Sequence, residues 1–252
     1  MRHTLRHRTA FTLVELLVVI GVIVILVSLI LAGVARSRGV AVRVACAATL
    51  RQYAAAQQVY LNDYDDWYVP VKWGFNPSPD PPWPPPPAGL EPPTIEHANW
   101  TRNAGFRRAL GVKTLNQSRV PYGLVCSRAP LAISGANKNG YELARSYGYN
   151  STGLKWFAGP TIYYTGFKRK EVRKPAAKLM FVDATSAAVS QSGSEKFETL
   201  GEVYGPPNPD SQTGITAYRH ERGANVAFFD GHVEWLPKRQ IIDNAGLWSA
   251  KK

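Results

Sequence analysis

Proline is missing from the first 69 residues of this 252-residue chain, and cysteine occurs only twice in all of it. A proline-free run of that length sets no barrier to one long helix. The two cysteines, Cys46 and Cys126, form no CxxC pair, which excludes a zinc ribbon and a thioredoxin-type motif. HExxH, Walker A and GxSxG patterns are absent, and with them the local signatures of zincins, P-loop proteins and α/β-hydrolases. No internal repeat is evident, and no motif implies a cofactor. Acids are outnumbered, 18 Asp and Glu against 30 Lys and Arg, for a formal net charge of +12. Such a balance permits nucleic acid, acidic surfaces or anionic lipid as partners but indicates none of them. What is present is ample apolar material: 45% hydrophobic and 11% aromatic residues, which excludes a disordered chain.

The apolar residues are unevenly placed. Residues 1–10, MRHTLRHRTA, carry Arg2, Arg6 and Arg8 and no acid. Residues 11–34 then run almost without polar interruption; at 1.5 Å per residue they extend about 36 Å, enough to cross a hydrocarbon core of roughly 30 Å. A removable secretory signal is the nearest competitor, with Gly33-Val34-Ala35 as a small-residue cleavage site. The run exceeds the usual signal core of roughly 7–15 residues, and a signal core has no use for Glu15. Residues 35–62 read as the amphipathic continuation of the same helix, rich in Ala, Gln and Leu. Val42, Cys46, Thr49, Tyr53, Ala56 and Tyr60 fall within one sector of about 80°, with Arg36, Arg43, Arg51 and Gln58 opposite. Asn62-Asp63 is expected to end it.

Residues 63–252 read as a globular domain. Its segment 69–93 holds eleven of the nineteen prolines and is expected to be a stiff surface insert of polyproline character. A short helix is expected over 98–111, stopped by Gly111. Strands are expected over 122–127, 146–150 and 178–184. The strongest strand pattern lies within 217–237, where Asp230-Gly231 suits a two-residue hairpin turn. That turn pairs Phe228 with Val233 and Val226 with Trp235 as an inner face, and sets Ala227, Phe229, His232 and Glu234 outward. The expected fold class is α+β: a long N-terminal helix, first transmembrane and then amphipathic, on a C-terminal antiparallel sheet.

Glu15 is the one charge inside the apolar segment. A lone carboxylate deep in hydrocarbon costs on the order of 2–4 kcal/mol, so it calls for a partner. It lies about 6 Å along the helix axis from Phe11. A cut before Phe11 would create an α-amino cation at nearly that depth, and a neighbouring chain shifted along its axis could bring that cation to Glu15.

The basic leader followed by A-FTLVELLVVIGVIVIL resembles the class III signal of type IV pilins and type II secretion pseudopilins. The resemblance implies cleavage between Ala10 and Phe11 by a prepilin peptidase, N-methylation of Phe11, and Glu15 as the assembly carboxylate. The family usually has Gly before the cut, and here Ala10 stands there. Residues 50–70, LRQYAAAQQVYLNDYDDWYVP, are similar to the helix end of pseudopilin-like proteins that also carry a C-terminal H-x9-DG motif. This chain has that motif as His220, Asp230 and Gly231. The resemblance implies a pilin-like fold, other pilin-like subunits as partners, and an inner-membrane anchor with the C-terminal domain in the periplasm. An unprocessed, membrane-anchored periplasmic binding or enzyme domain is the alternative.

No catalytic set stands out. Asp183, His220 and Asp230 sit at expected strand ends and are weak candidates for holding a divalent metal. Outside the cytosol Cys46 and Cys126 could form one disulfide; a pair of buried free thiols fits the sequence equally well.

Overall fold

The computed structural model describes residues 13–71, 100–113, 119–152, 166–200 and 214–251. Ala10, Phe11 and nearly all of the Pro-rich insert lie outside the described residues. The chain divides into two compact units, Met1–Ala41 and Val42–Lys252.

Helix α1 runs from Leu13 to Asp63, 51 residues, ending at the Asn62-Asp63 stop. In the first unit its side chains are bare: Leu13 keeps 81% of its surface, Val24 66% and Ile30 63%. Its most apolar 18-residue window has a mean hydropathy of 3.3 and no buried residue, so among the described residues there is one helix long and apolar enough to cross a membrane. Glu15 falls in the first turn of α1, where a carboxylate meets the positive end of the helix dipole.

The second unit is a mixed α+β domain. From Val42 onward α1 carries a buried stripe of Cys46, Thr49, Leu50, Tyr53, Ala54, Ala56, Gln57, Tyr60 and Leu61, while Arg51 and Gln52 stay exposed. The expected stripe is therefore present and wider. After α1 come α2 (Ala104–Ala109) and a two-stranded ribbon of β1 (Arg119–Val120) and β2 (Tyr141–Glu142), with α3 (Pro130–Ser134) between them. Asn103 caps α2 by accepting from the Phe106 N–H, and Gly111 takes φ +72° just beyond it, an exit that glycine makes without strain.

The main sheet contains β3 (Tyr147–Asn150), β4 (Leu179–Asp183), β5 (Ala188–Val189), β6 (Gly223–Phe228) and β7 (Val233–Pro237), in the order β5-β3-β4-β6-β7. Neighbours are antiparallel except for the parallel pair β3 and β5. Helices α4 (Phe197–Leu200), α5 (Lys238–Asp243) and α6 (Ala245–Trp248) complete the described elements.

Both faces of this sheet are covered, which explains why every residue of β4 and of β6 is buried. On one face the α1 stripe meets Phe106, Tyr147, Phe181, Ala227 and Phe229. Tyr53 sits among the rings of Trp100, Phe106, Tyr147 and Phe181, with centroids 5.4–6.2 Å away. Against the other face Ile241, Leu247 and Trp248 of α5 and α6 pack on Leu179, Val182, Val226 and Phe228. A register shift between Leu179 and Phe181 marks a bulge, so consecutive Met180 and Phe181 both join the α1 side.

Two sequence expectations need correction. Residues 122–127 do not form a strand; Tyr122–Leu124 is a 3-10 turn. The hairpin exists but is slipped by one residue: Val226 pairs with Glu234 and Ala227 with Val233. The loop has three residues, Phe229 to Gly231, closed by Gly231 N–H donating to the Phe228 carbonyl and Phe228 N–H donating to the His232 carbonyl. Only Gly231 takes positive φ, +100°, which is the three-residue loop in which a turn is followed by one left-handed residue. A slip of one residue exchanges faces. Ala227, expected outward, packs toward α1, and Phe228 stacks with His232 at 4.1 Å instead of facing Val233.

Candidate functional site

The residues of the H-x9-DG motif do not converge. His220 precedes β6 and Asp230 follows it, and six strand residues separate the two ends by about 20 Å. Asp230 lies in the hairpin loop, where its carboxylate accepts from the His232 backbone N–H at 3.1 Å and contacts His232 Nδ1 at 2.6 Å. The nine-residue spacing is thus β6 plus the turns at its ends. The metal candidates read from sequence split accordingly: Asp183 and His220 come together, and Asp230 is elsewhere.

The local fold around His220 is tight. His220 and Gly223 exchange both backbone hydrogen bonds, 3.2 and 2.9 Å, across a two-residue turn of Glu221 and Arg222 with φ +54° and +60°. That is the primed turn favoured between twisted strands, but it is normally built from Asn and Gly. Trp235 donates its indole N–H to the His220 carbonyl at 2.8 Å. Its ring lies so near Gly223 that a Cβ there would stand 2.5 Å from it. Arg43 Nη1 pairs with Glu221 at 2.7 Å, and its guanidinium lies 5.2 Å from the Trp235 ring centroid. Strained backbone of this kind is held in place by its surroundings.

Three segments bring side chains to His220. Cys46 comes from α1, Cys126 from the residue pair after the 3-10 turn, and Asp183 from the end of β4. Sγ of Cys46 and Sγ of Cys126 are 2.9 Å apart, and both cysteines are free and buried. Cys126 Sγ lies 3.4 Å from His220 Nε2, which lies 3.6 Å from Asp183 Oδ2. The side chains of His220 and Asp183 are fully shielded from solvent. Backbone and side-chain bonds hold each member: the Cys126 N–H donates to Ser146 Oγ at 2.6 Å, Tyr147 OH donates to the Cys46 carbonyl at 3.3 Å, and the Asn225 N–H donates to Asp183 Oδ2 at 2.8 Å. Arg219 next to His220 spreads its guanidinium over the carbonyls of Ser146, Arg145 and Ala184.

The electrostatics follow from burial and sharing. The hydrogen bond from Cys126, with help from His220, pulls the Cys46 thiol down to about 5 against the burial that would raise it. Cys126 moves the opposite way, because of the same sulfur–sulfur hydrogen bond and its own burial. Burial alone would lower His220, but its hydrogen bonds to Asp183 and Cys46 outweigh it and lift the imidazole to about 9. Cys46, Cys126, His220 and Asp183 thus form one buried polar cluster, with Arg219 at its edge.

No family model, curated protein or solved structure matches the chain.

Sequence reasoning paired the two cysteines as one alternative and named Asp183 and His220 as another. It did not join them. Cys46 and Cys126 stand 80 positions apart and Cys126 and His220 stand 94 apart, so no local spacing carries the link. One usable signal was the position of Cys46 inside the apolar stripe of α1, which commits it to the domain interior. A shielded cluster does not suit catalysis on an outside substrate. Glu15, the other singled-out residue, belongs to the first unit.

Proposed function

We propose that this chain is the precursor of a pilin-like filament subunit of a type II secretion or type IV pilus-like system. A prepilin peptidase removes residues 1–10, and Phe11 becomes the methylated N-terminus. The apolar part of α1 holds the chain in the inner membrane, with the C-terminal domain in the periplasm, until it joins other pilin-like subunits. The observation that carries this reading is the charge pattern of α1: from Leu13 to Ala35 Glu15 is the one charged residue, and it lies in the first turn of an otherwise bare apolar helix. An assembling helix gains from that carboxylate a contact for a neighbour's amino terminus. One further feature supports it: the amphipathic continuation of α1 buries one stripe on a largely antiparallel sheet, as pilin-like domains do. Head-to-tail contacts between such helices that do not close would build a filament.

Mass spectrometry of the N-terminal peptide from the membrane-extracted protein tests the proposal. N-methyl-Phe11 as the first residue is the expected result. A chain still beginning at Met1, or one beginning at Arg36, would instead point to the anchored binding or enzyme domain or to a cleaved secretory signal.

A further inference from the structure

We propose that Cys46, Cys126 and His220 form a binding site for a divalent cation of the zinc class, with Asp183 flanking its fourth coordination position. The ligand atoms of the two cysteines and His220 all lie within 4.8 Å of one another. Sulfur and imidazole nitrogen are the donors such a cation prefers, at about 2.3 and 2.0–2.1 Å, which sets neighbouring S and N ligands about 3.6 Å apart in a tetrahedron. The observed separation between Cys126 Sγ and His220 Nε2 is 3.4 Å. The two sulfurs, 2.9 Å apart, would part by about 0.9 Å to reach tetrahedral spacing.

The polar inventory of the pocket points to a ligand. Asp183 Oδ1 and His220 Nδ1 are buried with no hydrogen-bond partner among the described residues. An orphaned carboxylate oxygen in a shielded pocket is costly unless something cationic answers it. Charge gives the second argument. Two thiolates and Asp183 carry three negative charges, and a divalent cation with Arg219 supplies three positive ones, with His220 neutral. A disulfide between Cys46 and Cys126 would satisfy the sulfurs alone and leave His220 and Asp183 without that role.

The test uses the full-length chain purified in detergent with a thiol reductant and no chelator. Elemental analysis is expected to find about one zinc per chain. Exchange for cobalt(II) is expected to give the thiolate-to-cobalt charge-transfer absorption of a sulfur-ligated site. Cys126→Ser and His220→Ala should lose the cation. Asp183→Asn should weaken cobalt binding about 10–100-fold. The cobalt spectrum is read on the unsubstituted chain, so the proposal remains testable if a variant does not fold. A preparation that carries a Cys46–Cys126 disulfide, one that binds no zinc or cobalt when reduced, or one whose cobalt spectrum lacks the sulfur band would each overturn it.

Discussion

Residues 13–41 and 42–63 belong to one helix and solve opposite problems. In the first stretch every described side chain is exposed or nearly so, and apolar residues point in all directions. In the second, apolar side chains recur on one stripe and disappear into the domain, while Arg51 and Gln52 stay in solvent. Uniform apolarity asks for an apolar surrounding, which the described residues of its own unit do not supply; periodic apolarity asks for a partner within the chain. The same helix therefore joins a part apolar enough to cross a membrane to a part that walls the core. Glu15 and Tyr53 are the residues where each part commits most, and substituting them separates the two roles.

The largest expected effect is on assembly. Glu15→Ala should leave membrane insertion unchanged, because it removes the only charge from the apolar span and makes that span more apolar. Filament yield should drop to background, since the neighbour's amino terminus loses its counter-charge. Sheared filaments measured beside the membrane fraction give both readings. Normal filaments from this variant would reduce Glu15 to an ordinary residue of an anchor.

The next largest is on the stability of the domain. Tyr53 is fully buried among four aromatic rings and donates its hydroxyl to the Leu124 carbonyl. Tyr53→Ala should cost about 3–5 kcal/mol, as for other large-to-small changes of a buried ring. Urea unfolding of the detergent-solubilised chain, followed by tryptophan fluorescence, measures it. A cost near zero would mean that the α1 stripe does not wall the core.

Much of this arrangement was legible in the sequence, for reasons that differ from place to place. The two parts of α1 could be read because 3.6-residue periodicity is local, and its loss near residue 35 is local too. Strands β3, β4 and the β6–β7 hairpin could be read from their β-branched and aromatic runs. The hairpin register could not. Asp-Gly fits both a two-residue primed turn and the end of a three-residue loop, and burial of both sheet faces removes the alternation that would have decided. Residues 122–127 look strand-like because Leu124, Val125 and Cys126 are apolar, yet they are buried by tertiary packing around a 3-10 turn. All four members of the Cys46–Cys126–His220–Asp183 cluster were named from the sequence, as two separate pairs, but their convergence is a product of topology. The H-x9-DG spacing measures a strand, β6, with the turns at its ends.

A smaller effect is expected at the turn that sets His220. Arg222 sits at φ +60°, a conformation costing roughly 1–2 kcal/mol for a residue with a Cβ. Arg222→Gly should raise domain stability by about 1 kcal/mol after the loss of unfolded-state entropy is counted. Glu221, and its pairing with Arg43, is left in place. The same urea experiment reads this shift. A destabilised variant would mean that the Arg222 side chain, rather than the turn geometry, holds the His220 strand end.

The smallest effect tests the comparison from its other side. Ile23 keeps 51% of its surface and stands in the part of α1 that has no internal partner in its own unit. Ile23→Ala removes about as much apolar bulk as many core substitutions, and in a packed interior it would cost about 2–5 kcal/mol. Here it should move the unfolding of the second unit by less than about 0.5 kcal/mol, because the exposed side chain belongs to the first unit. Its effect belongs instead to membrane partitioning, where each lost methylene weakens insertion slightly. A change in domain unfolding as large as that of Tyr53→Ala would show that the bare part of α1 is covered by the chain itself. The division of the helix into anchor and core wall would then be wrong, and so would the reason for placing Glu15 in a membrane.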